Sequence, residues 1–215
     1  AFMKGKWSSP NLVDVVRLMS INIEFLHGLD GMTSVIKRLS NSALHWINRN
    51  TAAKAKQNIS AHYDLSNEFF ELFLDPEMMY SSAIFPNSSA GLDEAAVHKL
   101  DLICKKLDLK ESDRLLEIGS GWGGMAIYAA RNYGCQVTTT TISKQQYQAA
   151  VQRVKAAGLE DKVKILFKDY RDLKGSYDKL VSVEMIEAVG HEFYPQYFNK
   201  CATLLKPNGL MLLQA

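Results

Sequence analysis

Leu115-Leu116-Glu117-Ile118-Gly119-Ser120-Gly121-Trp122-Gly123-Gly124 decides the architecture of this chain. A short apolar run enters a glycine turn, and a helical pattern follows over 123–132. Glycines suit a loop whose backbone takes angles closed to other residues and lets a ligand approach the main chain. At a strand-to-helix switch, such a loop lies where open α/β sheets bind nucleotides. Further strands read at 136–140, 163–167, 179–183 and 210–214 beside 114–118, with helices near 92–108, 143–157 and 191–204. That alternation predicts an α/β, Rossmann-like fold of right-handed βαβ units around a parallel sheet. Lys206-Pro207-Asn208-Gly209 reads as a turn between the last helix and the last strand.

Two kinds of nucleotide enzyme use this loop. A dinucleotide oxidoreductase needs GxGxxG, which Gly119, Gly121 and Gly124 satisfy formally, and an acid about 20 positions on to hold the ribose. The second strand ends instead in Thr138-Thr139-Thr140-Thr141, with no carboxylate. Glu117 precedes the glycines, where it can hydrogen-bond the ammonium of a methionine-type cofactor directly or through water. The loop therefore reads as an S-adenosylmethionine site rather than as a dehydrogenase or an empty turn.

With 215 residues, 47% of them hydrophobic, the chain can bury a sizeable core. No run approaches the roughly 20 apolar residues of a membrane span, and the start lacks a signal pattern, so a cytoplasmic protein is expected. Cys104, Cys135 and Cys201 are odd in number and far apart, which favours neither a disulfide framework nor a CxxC pair. No metal site is expected, since His191-Glu192 lacks the second histidine of HExxH. No nucleic-acid partner is expected either.

The N-terminal part differs in character. Ser9-Pro10 is a helix-start signal, and Leu12, Val15, Val16, Met19, Ile23 and Leu26 recur at helical spacing. A second helix is predicted from Thr33, with Val35, Ile36, Leu39, Ala43, Trp46 and Ile47 on one stripe. Residues 1–57 are thus expected to form a helical segment, and 58–215 the catalytic domain. Between Asp30 and Asp64 there is no acid, while Lys37, Arg38, Arg49, Lys54 and Lys56 fall in that window. This is either a solvated basic face or a surface for acidic lipid head groups.

Asn58-Ile59-Ser60-Ala61-His62-Tyr63-Asp64-Leu65-Ser66-Asn67-Glu68-Phe69-Phe70, then Leu74-Asp75-Pro76 and Tyr80-Ser81-Ser82-Ala83, resemble the opening of the cyclopropane-fatty-acyl-phospholipid synthase and mycolic-acid cyclopropane synthase family. The resemblance continues through the glycine loop, Thr141-Ile142-Ser143-Lys144-Gln145-Gln146, Asp169-Tyr170-Arg171-Asp172 and Glu184-Met185-Ile186-Glu187-Ala188-Val189-Gly190-His191. It covers 58–215, and Met3 to Pro10 is similar to a family segment ahead of the catalytic domain.

The resemblance implies a class I methyltransferase sheet, S-adenosylmethionine as methyl donor, and an unsaturated phospholipid acyl chain at a membrane surface as acceptor. Tyr80 and Ser81 would close over the methionine part, and Gly119 and Gly121 would bring backbone to it. Thr141, with Ile142 beside it, and Gln146 would take the ribose, and Asp169 and Tyr170 the adenine. Singly, Thr141 reads as a β-former, Gln146 as a solvated helix residue and Tyr170 as a surface aromatic; jointly those bland readings are poor. The family's chemistry implies that a cis alkene attacks the sulfonium methyl and that the cationic centre loses a proton to a bound bicarbonate. Glu187 matches the glutamate that helps hold bicarbonate, and is expected to be buried and hydrogen-bonded.

Three positions depart from the family pattern. Its cysteine after Tyr-Ser is Ser82, its histidine after the glutamate is Ala188, and its bicarbonate-holding histidine on the fifth strand is Gln214. Gln214 can hydrogen-bond an anion but carries no charge. These changes leave a cyclopropane, methyl-branched or methylene product open, with Glu187, Ser82 and Gln214 as the catalytic set. The alternatives are a methyltransferase of another lipid or small molecule, and a lipid-binding module without catalysis. The family's fold continues past the fifth strand, so the resemblance implies a C-terminally incomplete domain, whose apolar strand at 210–213 invites pairing with another chain, as in a homo-oligomer, or with a swapped element.

Overall fold

The computed structural model describes residues 6–22 and 67–215. The chain divides into two units, Ala1–Arg49 and Asn50–Ala215.

In the first unit, helix α1 spans Leu12–Ile21. Its cap is Asn11 rather than Ser9, because the Asn11 side-chain oxygen accepts from the Val13 amide at 3.1 Å. Ser9 instead uses its hydroxyl to accept from the Asn11 amide at 3.2 Å, one step ahead of the helix. Leu12, Val16 and Met19 are exposed. Ile23, Leu26, the helix expected from Thr33 and the basic window lie outside the described residues, as does the segment 58–66.

The second unit contains α2 (Asn67–Glu71), α3 (Leu92–Lys106), β1 (Arg114–Ile118), α4 (Gly124–Tyr133), β2 (Gln136–Thr141), α5 (Lys144–Ala156), β3 (Val163–Phe167), β4 (Tyr177–Val183), α6 (Tyr194–Leu204) and β5 (Leu205–Gln214). All strand pairs are parallel, in the order β3-β2-β1-β4-β5. Strand β1 is buried beyond its first residue, as a central parallel strand covered on both faces must be. Its side chains alternate. Leu115 joins a core with Leu100 and Ile103 of α3 and Met125 of α4, whereas Leu116 and Ile118 join one with Tyr197, Cys201 and Leu204 of α6.

Strand β5 begins at Leu205, directly after α6, and not at Leu210. Tyr177 pairs with Leu205 and Lys179 with Leu210, so Lys206-Pro207-Asn208-Gly209 forms a bulge within the strand instead of the expected turn before it. Lys206 Nζ is 2.6 Å from Asp178 Oδ1, which ties the bulge to β4. Because β2 and β3 lie on one side of β1 and β4 and β5 on the other, the order reverses between β1 and β4. A crevice opens at the carboxyl ends of those two strands. No described helix is long and apolar enough to cross a membrane.

Candidate functional site

A cavity of about 520 Å³ fills that crevice. Its floor is the loop after β1. Gly119 and Gly121 have φ of 98° and 48°, and a Cβ built on Gly121 would meet no atom within 4 Å, so that position keeps main chain bare toward open space. Glu117, on β1 just below, is 3% exposed, and its Oε2 has no hydrogen-bond partner. Burial pushes its carboxyl up to about 8. An unpartnered buried carboxylate oxygen beside a glycine cradle suits an ammonium-bearing ligand, which would supply the missing donor and charge.

The wall after β2 is built by a helix cap. Ser143 caps α5 by accepting from the Gln146 amide at 3.3 Å, while its own amide donates to Thr141 Oγ1 at 3.1 Å. Thr141 in turn donates to Gln146 Oε1 at 2.8 Å, so the two are held together and the Gln146 amide N–H groups stay out of that contact. Ile142 lies between them in the lining. These donors and acceptors match the two hydroxyls of a ribose.

After β3, Asp169, Tyr170 and Arg171 form the third wall. Arg171 forks onto Asp169, with Nε 2.9 Å from Oδ1 and Nη2 2.7 Å from Oδ2, and its guanidinium lies 5.5 Å from the Tyr170 ring centroid. The sequence reading missed Arg171, although it stands in the quoted segment; two residues from an aspartate, an arginine reads as an ordinary surface pair. Tyr80 and Ser81 reach the cavity from the segment after α2. All ten residues expected to hold the cofactor thus border one cavity.

The expected catalytic set is arranged differently. Glu187 lines the cavity from a short 3-10 turn at Ile186–Ala188, but it is exposed and not buried, because the turn sets it at the rim. Ser82 and Gln214 do not line the cavity. They meet at Glu184, which does. Glu184 Oε1 accepts from the Ser82 hydroxyl at 2.6 Å, the Ser82 amide at 2.8 Å and Gln214 Nε2 at 2.8 Å. Glu184 has φ of 49°, a left-handed conformation uncommon outside glycine, and its own amide donates to the Gln214 carbonyl at 2.8 Å. Strain of this kind at a cavity wall points to a functional demand on where the side chain goes. Glu184 was overlooked in the sequence, where it read as one more letter of the segment ending at His191.

Residues 50–215 match the family described as mycolic acid cyclopropane synthetase. A probable fatty acid methyltransferase of Pseudomonas putida is 47% identical over 156 residues, covering 72% of this chain and 40% of that protein. The cyclopropane-fatty-acyl-phospholipid synthase of Escherichia coli K12 is 46% identical over 152 residues, covering 71% of this chain and 38% of that protein. The crystal structure of mycolic acid cyclopropane synthase CmaA1 complexed with SAH and CTAB superposes with a TM-score of 0.71 at 37% identity, covering 74% of this chain and 55% of that one. The chain therefore spans less than half the length of these two curated relatives.

Proposed function

From its membership of the mycolic acid cyclopropane synthetase family, we propose that this chain is the cofactor-binding part of an enzyme that transfers a one-carbon unit from S-adenosylmethionine to the cis double bond of an unsaturated phospholipid acyl chain. The observation that carries the reading is the shared lining: the ten residues expected to hold the cofactor border one cavity with Glu184 and Glu187. Glu117 would take the ammonium, Thr141 and Gln146 the ribose, and Asp169 and Tyr170 the adenine. Docking on a membrane surface through the basic window from Lys37 to Lys56 belongs to the same proposal.

Bound S-adenosylmethionine supplies an electron-poor methyl carbon. The alkene's π pair forms the new C–C bond as the S–CH3 bond breaks, its electron pair staying on sulfur. The cationic centre left on the acyl chain then loses a proton, and the freed C–H pair closes a three-membered ring or makes a methylene double bond. This chain's task is to fix the geometry and receive that proton. The resemblance gives the task to a bicarbonate held by Glu187, Ser82 and Gln214. Yet Ser82 and Gln214 already grip a carboxylate of the chain itself, and we assign proton acceptance to Glu184.

Lipid mass analysis of cells expressing the full-length gene tests the reaction: unsaturated chains should gain one CH2, and NMR then separates ring from methylene. With purified full-length protein, turnover should be unchanged by removal of bicarbonate, and Glu184→Gln should lower it by roughly 10²–10⁴-fold. Bicarbonate dependence with an active Glu184→Gln would return the role to the anion. The kinship to a fatty acid methyltransferase favours a second reading, in which free fatty acid or another lipid is the acceptor and turnover needs no vesicles.

A further inference from the structure

Lys99, on α3, is fully buried. Its Nζ lies 2.6 Å from Ser81 Oγ, 2.8 Å from the Ser82 carbonyl oxygen and 3.3 Å from the Ser81 carbonyl oxygen. The three protons of the ammonium therefore meet three neutral acceptors on two consecutive residues. A buried cation is costly without a compensating charge, and a neutral donor would serve those carbonyls as well. The charges that act on it come from other elements: Glu184 after β4 and Asp75 after α2. Burial pulls the ammonium below its ordinary value, and those two carboxylates offset only part of that pull. Ser82 is the joint between cation and carboxylate. Its carbonyl faces Lys99 while its N–H and hydroxyl hold Glu184 Oε1.

We propose that Lys99 is a positioning residue for the proton acceptor. It draws the Ser81-Ser82 strap onto α3, which turns the Ser82 N–H and hydroxyl toward Glu184 and fixes where that carboxylate lies. Lys99 does not border the cavity, so it acts through Ser82 rather than on substrate. The assignment rests on the reading of Glu184 as acceptor.

Lys99→Met in the full-length protein keeps the length of the buried side chain and removes its donors to the strap. Turnover should fall about tenfold or more, with the loss in kcat and the KM for lipid little changed. The affinity for S-adenosylhomocysteine by calorimetry should change by less than about threefold, because Ser81 is one of ten residues expected to hold the cofactor and the other nine are untouched. An unchanged kcat overturns the proposal. So does loss of S-adenosylhomocysteine binding together with turnover, since Lys99 would then be holding the cofactor wall. Glu184→Gln separates the two layers. If it is inactive while Lys99→Met behaves as wild type, the role of Lys99 alone fails; if it is fully active, the acceptor reading falls and the positioning role falls with it.

Discussion

Glu117 concentrates the electrostatic cost of the site in one side chain. Its folded value of about 8 lies above the free value of 4.5. The stability it allows is therefore intact below about pH 4.5 and is lost as pH rises through about 8, where the carboxyl must ionise out of contact with water. The ligand-free protein should melt at a lower temperature at pH 9 than at pH 6, by on the order of a few kcal/mol of stability. Glu117→Gln should flatten that slope, and so should saturating S-adenosylhomocysteine, whose ammonium supports the charged form. Melting curves that fall equally in the wild type and Glu117→Gln would show that the slope has another origin. Gly121 sets a steric condition in the same loop. Valine there needs a left-handed backbone and fills open cavity, so Gly121→Val should fold yet give no calorimetric signal with S-adenosylhomocysteine.

At the scale of elements, the segment after α2 and helix α4 touch through a missing side chain. A Cβ on Gly124 would collide with the Glu77 carbonyl. Asp75 holds that segment in place, accepting from the Glu77 amide at 2.9 Å and the Met79 amide at 2.8 Å. Gly124→Ala should therefore cost about 1–3 kcal/mol, read as a lower denaturant midpoint at unchanged slope. On the adenine wall, Arg171→Ala removes the fork on Asp169 and should weaken S-adenosylhomocysteine binding several-fold by calorimetry; wild-type affinity would mean that the contacts left to Asp169, the residue 171 backbone amide among them, hold it well enough. The sheet was legible in sequence because β-branched and apolar runs bounded by glycine and polar turns are what doubly covered parallel strands need. The bulge at Lys206 to Gly209 was not, since proline and glycine read as a turn and only pairing with β4 shows that the strand starts earlier. The glycine loop was legible because local spacing carries it, whereas Thr141 stood out only through the family resemblance, since singly it reads as a β-former. Glu184 was not, because its partners lie 102 and 30 residues away, and no local pattern marks contacts made through space.

For the whole molecule, the basic window predicts a salt-dependent affinity for acidic surfaces. Binding to anionic vesicles should weaken as ionic strength rises and should exceed binding to neutral vesicles at low salt; equal binding to both would remove the docking role. A different consequence follows from Trp122, in the glycine loop itself. Its indole nitrogen donates to Asn67 at 2.8 Å, its ring lies 4.8 Å from that of Phe70, and it borders the cavity. The other two tryptophans of the chain, Trp7 and Trp46, precede residue 50. With both changed to phenylalanine, the fluorescence of this domain comes from one indole whose surroundings differ between empty and filled loop. The fold thus carries its own optical gauge of occupancy, and a stopped-flow trace of that emission would time the arrival of the nucleoside without any label.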